Sequence, residues 1–290
     1  MGKYTIGNYF VVYLDILGQR KKIKELKAIP TNKAEDEISR KVLHDTADKV
    51  IRLRQSFDDI FTSMTKSTGL LDGLAHDKRE QAESLKKQIF KRRGIADSYI
   101  ITIPLYDIEW GIKRVLINIW AALGATCATM IIMLADGSFI RGGIAKGWGT
   151  ILPIDNNDEV YGLAVSQAVE YEEKIAQYPR VIIGKELWED LCKMEIESQD
   201  TFVKKYVIST KQFFYKDNDG SYVLDYLGEG AHSIEPTVFP KIVSTAYKNA
   251  IQEHQKLIDE KNYKLAARYY LLRQYIESRL LLWNIEKVNK

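Results

Sequence analysis

The chain has 290 residues, 46% hydrophobic and 11% aromatic, which supplies a substantial core and excludes a disordered or low-complexity polypeptide. Against 39 acidic residues stand 42 basic ones, and the formal charge of +3 gives no global field that argues for nucleic acid as a partner. Cys127 and Cys192 are too few and too separated for a disulfide framework or a zinc ligand set, so a reduced cytoplasmic compartment is expected. No basic n-region followed by an apolar h-region opens the sequence, so no secretory leader is expected.

The predicted elements begin with Phe10, Val11, Val12, Tyr13 and Leu14, a β-branched and aromatic strand that ends at Asp15, after which Gly18 permits a sharp turn. Gln19 to Ile29 is basic and short, stopped by Pro30. Thr31 or Asn32 then caps a long amphipathic helix, in which Ile38, Val42, Leu43, Ala47, Val50, Ile51, Phe57, Ile60, Phe61 and Met64 recur at helical spacing. Ser67 to Gly73 breaks it, and a very polar second helix is expected at His76 to Lys91. The charge of both helices predicts that they project from the core or pack on a neighbouring subunit. Gly94 to Pro104, GIADSYIITIP, then sets Asp97 just before a strand at Tyr99 to Ile103.

Ile108 to Leu134 makes one long helix, ended by Asp136-Gly137. Its nearly uninterrupted apolar stretch, Val115 to Leu134, is long enough to cross a bilayer. Strand candidates a few residues away on either side must pair in one sheet, so a buried core helix is expected instead of a stable membrane span. Ser138 to Gly149, SFIRGGIAKGWG, has strand character with four glycines, which argues for backbone lying close to something. Thr150 to Ile154 continues it, and Asp155 to Asp158 is a polar turn. Tyr161-Gly162 opens a helix from about Leu163 to Gln177, followed by a strand at Arg180 to Ile183 and a helix at Lys185 to Cys192. Phe213 to Tyr215 and Tyr222 to Leu227 flank Asp219-Gly220 as a hairpin. The acidic KDNDG turn lacks the later ligand spacing of a calcium loop and reads as structural. The last sixty residues are helical, rich in Tyr and Leu.

Two features carry chemistry. A carboxylate at the end of a hydrophobic strand is costly to bury unless a cation or hydrogen-bond donors compensate it. Asp15 and Asp97 both stand in that context with glycines nearby, a pattern that suggests a shared divalent metal and a phosphate. Basic clusters at Arg20, Lys21, Lys22, Lys24 and at Lys91, Arg92, Arg93 suit a polyphosphate. The order of elements is β-α-β-β-α-β with one enlarged connection, an α+β arrangement that fits a ferredoxin-like palm.

The segments YLDILG, GIADSYIITIP, FIRGGIAKG and YGLAVSQAVEYEEKIAQYPRVII resemble the class III nucleotide cyclase catalytic domain. They are most similar to its divergent bacterial branch, the stand-alone pyrimidine cyclases of Pycsar antiphage defence. The similarity covers most of residues 8 to 227 outside a 31–92 insertion, and RYYLLRQYIE resembles that branch's aromatic terminal helix. The resemblance implies a catalytic domain over 1–230 with helical insertion 31–92, and a helical extension, 231–290, packed on the same domain.

It also implies two Mg²⁺ or Mn²⁺ ions held by Asp15, Asp97 and the carbonyl of Ile16, with amides around Leu17 and Gly18 on the triphosphate. Arg93 stands four residues before Asp97, where adenylate cyclases usually carry a base-reading lysine. Leu163 replaces the base-reading aspartate, Ser166 the ribose-orienting asparagine and Glu170 the transition-state arginine. An acid removes favourable charge from a pentavalent phosphate, so Arg141, Lys146 or another basic residue is expected to supply it, or the domain has lost activity. Glu170 and Glu172 are expected on the helix surface beside their own basic neighbours.

The implied reaction converts UTP or CTP to a 3′,5′-cyclic monophosphate and pyrophosphate, in a homodimer with active sites at the interface and without nucleic acid as a partner. A cyclase-like nucleotide sensor without turnover and a palm-type oligonucleotide polymerase are the alternatives.

Overall fold

The computed structural model describes residues 6–67, 91–105, 111–152 and 159–288. The polar turn at 155–158, most of the break after Ser67 and all but the last residue of the expected 76–91 helix lie outside them. Lys91 itself opens a strand.

Strand β1 (Ile6–Ile16) is the axis of the sheet, paired antiparallel with β3 (Ser98–Pro104) on one side and β4 (Ile140–Leu152) on the other. The edge strand β2 (Lys91–Ile95) pairs with β3, giving the order β2-β3-β1-β4. Helix α1 (Gln19–Lys24) follows β1, and the long helix α2 (Lys33–Ser67) precedes β2. Helix α3 (Gly111–Ala135) lies between β3 and β4. This succession and strand order are the expected ferredoxin-like α+β palm. Beyond β4 come β6 (Val181–Ile183, parallel to β4), β8 (Tyr222–Leu224) and β7 (Phe214–Lys216), while β5 (Glu159–Gly162) pairs with the outer end of β4.

The two-residue side-chain period of a strand divides the sheet into two faces. Phe10, Val12, Leu14 and Ile16 enter the main core with α2 and α3. Tyr9 and Val11 pack on the other face with Ala145, Ala164 and Ala168, the last two from α4 (Leu163–Glu170). Helix α4 sits so close that a Cβ on Gly143 would stand 2.0 Å from the carbonyl oxygen of Ala168. Gly143→Ala is therefore expected to cost about 3 kcal/mol, near the upper end for overpacking. Urea unfolding measures it, and an unchanged midpoint would mean that α4 retreats without loss.

Asn32 is the residue that caps α2: the Glu35 amide donates to its Oδ1 at 3.0 Å, and the Glu35 carboxylate accepts from the Thr31 amide and hydroxyl at 2.8 Å each. The expectation that this insertion projects from the core is corrected for its described part. Leu53, Phe57, Phe61 and Met64 bury one face of α2 in the main core, because an apolar stripe that long is stabilised only where it is covered.

From Val115 to Leu134 in α3, all residues except Asn118, Trp120 and Ile132 are buried, packed against α2 and against the later helices α6 (Thr201–Lys211) and α8 (Phe239–Asp259). The helix is long and apolar enough to cross a membrane, but its surface is covered by the rest of the chain. Gly137, at φ +67°, ends it: Ser138 N–H reaches the Met133 carbonyl at 2.8 Å and Gly137 N–H reaches that of Leu134 at 3.0 Å, a Schellman pair.

The KDNDG acids are held internally, since the buried Arg180 guanidinium binds Asp217 and, at 2.6 Å, Asp219. At the other end of the chain, α9 (Tyr263–Arg279) and the turn Leu280–Trp283 close over β8. Trp283 is 1% exposed and its indole N–H donates to the Leu227 carbonyl at 2.8 Å. Asp225 receives the Tyr275 hydroxyl at 2.8 Å and the fork of Arg279 at 3.0 Å.

Candidate active site

A pocket of about 170 Å³ opens at the carboxyl end of β1, lined by Tyr13, Asp15, Ile16, Leu17, Gly18, Asp97, Arg141, Glu172 and Glu173. Register explains why these residues meet. Asp15 is directly opposite Ser98 on β3 and opposite Arg141 on β4, so three polar side chains share the sheet face that carries α4. The Ser98 hydroxyl donates to Asp15 Oδ1 at 3.0 Å and lies 2.8 Å from the Tyr13 hydroxyl. Burial, and secondarily the charge of Asp15, push the Tyr13 phenol above its ordinary value.

Asp97 comes from the two-residue turn between β2 and β3, whose first residue, Ala96, adopts φ +50°. Helix α2 braces that turn. Arg54 lies across Gly94 and donates to the Ala96 carbonyl at 3.0 Å, while Asp58 accepts from the Tyr99 hydroxyl at 2.6 Å and pairs with Arg92. A Cβ at Gly94 would meet the Arg54 guanidinium, so a side chain there would displace Arg54 from the Ala96 carbonyl.

The pocket therefore brings together Asp15, Asp97, Ile16, Gly18 and Arg141 among the residues singled out from sequence. Ile16 points its side chain into the main core, 2% exposed, so only its backbone can serve the pocket. Leu17 corrects the expected phosphate cradle, because its amide already donates to the Phe139 carbonyl at 2.8 Å. Gly18, at φ +83°, has open space where a side chain would stand, leaving its backbone accessible.

The others lie elsewhere. Lys146 is opposite Phe10 in the register and so belongs to the other face of the sheet, where it pairs with Asp190 of α5 (Lys185–Glu197). Its one-residue parity difference from Ala145 separates it from Asp15, a physical correction to its expected phosphate role. Arg93 pairs with Glu159 and lines a second, smaller cavity of about 30 Å³ with Ile100, Thr102, Val160 and Val165. Ser166 is exposed on α4, and Leu163 is 51% exposed. Glu170 pairs with Lys174 at 2.7 Å on the surface, as expected of it.

Glu172 does not follow the surface expectation. It is 2% exposed, at the start of the π-helical turn Tyr171–Ile175, and its carboxylate pairs with the Arg141 guanidinium. Burial pushes its carboxyl up to about 7, the charges of Asp15 and Glu173 add to that rise, and the Arg141 guanidinium opposes it. A signal for it was present in the sequence: Ala164, Ala168, Glu172 and Ala176 form an i, i+4 series, the other three members of which are buried. Ser98 and Arg54 had no comparable signal, since each acts through a neighbour distant in sequence.

The lining contains four carboxylates and one guanidinium, a balance that favours cations. No cluster of three or more His, Cys, Asp or Glu with metal-holding geometry occurs among the described residues. Two carboxylates and a carbonyl are hard oxygen donors, and they fit Mg²⁺ or Mn²⁺ that takes its remaining ligands from water and substrate phosphates.

No family model matches the chain, and neither does any curated protein. Among solved structures, the chain is similar to the adenylyl cyclase CyaB from P. aeruginosa, at 15% identity and a TM-score of 0.42, over 66% of this chain and 84% of that one. It is also similar to the monomeric guanylyl cyclase domain of the RhoGC fusion protein from the aquatic fungus Blastocladiella emersonii, at 13% identity and a TM-score of 0.43, over 77% and 98%. A third similarity, to a bacterial light-regulated adenylyl cyclase, has 11% identity and a TM-score of 0.39 over 83% and 99%.

Proposed function

We propose that this chain is a metal-dependent nucleotide cyclase that converts a pyrimidine nucleoside triphosphate, UTP or CTP, to its 3′,5′-cyclic monophosphate and pyrophosphate. The observation that carries the reading is the convergence of Asp15, from the end of β1, and Asp97, from the β2–β3 turn, on one acidic pocket floored by Ile16 and Gly18. The sequence resemblance supports the pyrimidine substrate and a role in antiphage defence.

Asp15, Asp97 and the Ile16 carbonyl would hold two divalent ions, which when bound supply positive charge to the α-phosphate and pyrophosphate and acidify the ribose 3′-hydroxyl. The chain's own groups do the rest. Ser98 fixes the rotamer of Asp15 through its 3.0 Å bond, and Arg54 fixes the turn that presents Asp97. The backbone at Gly18 admits the triphosphate without a side chain in the way. Arg141 is the cation placed to stabilise the phosphorane as the 3′-oxygen bonds to the α-phosphorus and the bond to the bridging oxygen breaks. We place the enzyme in the cytoplasm as a homodimer whose α4 helices lie across from each other's pockets.

Incubation with each of the four NTPs and Mn²⁺ tests the reading. The expected result is cyclic UMP or cyclic CMP with stoichiometric pyrophosphate, and no product from folded dimer would overturn it. A second reading, a nucleotide sensor without turnover, is favoured by the pairing of Glu170 with Lys174 where a catalytic arginine is usual. Thermal stabilisation by NTP and metal without product selects that reading, and product mass separates both from a palm-type polymerase.

A further inference from the structure

Ala96 stands where local rules call for glycine. It is the first of the two residues that connect Ile95 to its partner Ser98, and of those two it alone has a positive φ, +50°. A two-residue hairpin loop with positive φ at its first residue only is of the II′ kind, in which that place normally belongs to glycine. An alanine there brings its Cβ against the carbonyl oxygen that follows. Such strain persists only where the surroundings impose it, and here it lies one residue before Asp97, a candidate metal ligand.

Helix α2 imposes it. Arg54 donates to the Ala96 carbonyl at 3.0 Å and stands 3.5 Å from that of Ser98, so one guanidinium spans the carbonyls on either side of Asp97. Gly94 gives the guanidinium its passage across β2. One helical turn beyond Arg54, Asp58 accepts from the Tyr99 hydroxyl at 2.6 Å and pairs with Arg92, which ties both strands of the hairpin to the same face of α2. The helix is a firm support, because Leu53 and Phe57 beside these groups are fully buried in the main core.

We propose that Arg54 is a positioning residue whose bond to Ala96 offsets the strain of the turn, so that Asp97 is presented to the pocket only while α2 is docked on the hairpin. This deepens the cyclase reading and rests on Asp97 serving the metal. Arg54 does not line the pocket, so it acts through the backbone of the turn and not on substrate. The inserted helix thereby governs the site at a distance: lifting α2 from the hairpin frees Ala96 to return to negative φ and turns Asp97 away from Asp15.

The test compares full-length wild type, Arg54→Met, Ala96→Gly, the double variant and Asp97→Asn. Mn²⁺ binding without nucleotide is followed through the electron paramagnetic resonance signal of the free ion, beside kcat at saturating NTP and a thermal melt. Arg54→Met keeps an unbranched stem and loses the donors, and it is expected to weaken Mn²⁺ binding about tenfold and to lower kcat by a like factor. Ala96→Gly alone is expected to bind at least as tightly as wild type. The double variant is expected to return to within about threefold of wild type, because glycine adopts positive φ without help from Arg54. A merely structural Arg54 would lower the melting temperature and leave the affinity of the folded protein unchanged. Unchanged affinity in Arg54→Met, or a double variant as weak as that single one, overturns the proposal while leaving the metal site standing. If Arg54→Met does not fold, Gly94→Ala takes its place with the same expectations, since its Cβ would displace the guanidinium from the other side. If wild type and Asp97→Asn bind Mn²⁺ alike, the metal reading itself fails and the proposal falls with it.

Discussion

Asp15→Asn is expected to reduce pyrophosphate release by at least about 10²-fold, the scale seen when a principal electrostatic contact to a transition state is removed. Asn keeps the shape of the side chain and can still accept from the Ser98 hydroxyl, so the fold should survive; thermal melting checks this. Loss of the charge removes half of the carboxylate pair that would hold the metal. Asp97→Asn is expected to have an effect of the same order, because the two aspartates line one pocket at the same end of β3. Residues that act as a unit are not additive, so the double variant should lose little more than the worse single one. A double loss equal to the product of the single losses would mean that the aspartates serve separate steps. Full activity in either folded single variant would remove that aspartate from the machinery.

Asp225→Ala is expected to destabilise the protein by about 3–5 kcal/mol, the cost of stranding a buried ionic partner. Asp225 is 8% exposed and accepts both the Arg279 fork and the Tyr275 hydroxyl, which in turn accepts from the Leu227 amide. Removing the carboxylate leaves a guanidinium and a phenol without their acceptor between β8 and α9. Urea unfolding of the full chain measures the loss. A drop under about 1 kcal/mol would place this cluster in the class of exposed ion pairs. Since Trp283 and Leu280 belong to the same core as the sheet, one cooperative transition is expected, not early release of the C-terminal helices.

Much of the site was legible because its principal residues are written in local patterns. Asp15 closes an alternating apolar strand, and Asp97 sits in a short turn before another, with glycines marking both places. Strand periodicity also predicts which neighbours share the face of Asp15, and Tyr13 follows from it directly. Lys146 shows the limit. Proximity to glycines made it a phosphate candidate, whereas its pairing with Phe10 assigns it to the core face beside Asp190. A register shift of one residue would reverse that assignment, and register is set by pairing between strands far apart in the chain.

Leu17 and Glu172 illustrate two further kinds of nonlocal control. The amide of Leu17 is consumed by Phe139, a residue more than a hundred positions away, so the turn offers fewer free donors than its sequence suggests. Glu172 has acidic and basic neighbours typical of a solvated helix face but shares the face of Ala164, Ala168 and Ala176, and the close seat of α4 on Gly143 puts that face under cover. The insertion follows the same logic: Phe57, Phe61 and Met64 read as one amphipathic face of a helix whose charge predicts projection or packing on a neighbouring subunit, whereas the structure buries them, with Leu53, in the main core, and Arg54 of the same helix braces the turn that presents Asp97.

The sequence by itself determined the α+β palm order, the apolar helix at its centre and the two aspartates, because hydrophobic period, glycine placement and turn chemistry act over a few residues. Tertiary structure decided that Lys146 faces away, that Glu172 faces in, and that Arg141 stands between two carboxylates. Those choices depend on the relative burial of groups brought together by strand pairing and helix seating, and electrostatic energies in a partly buried pocket are fixed by that burial.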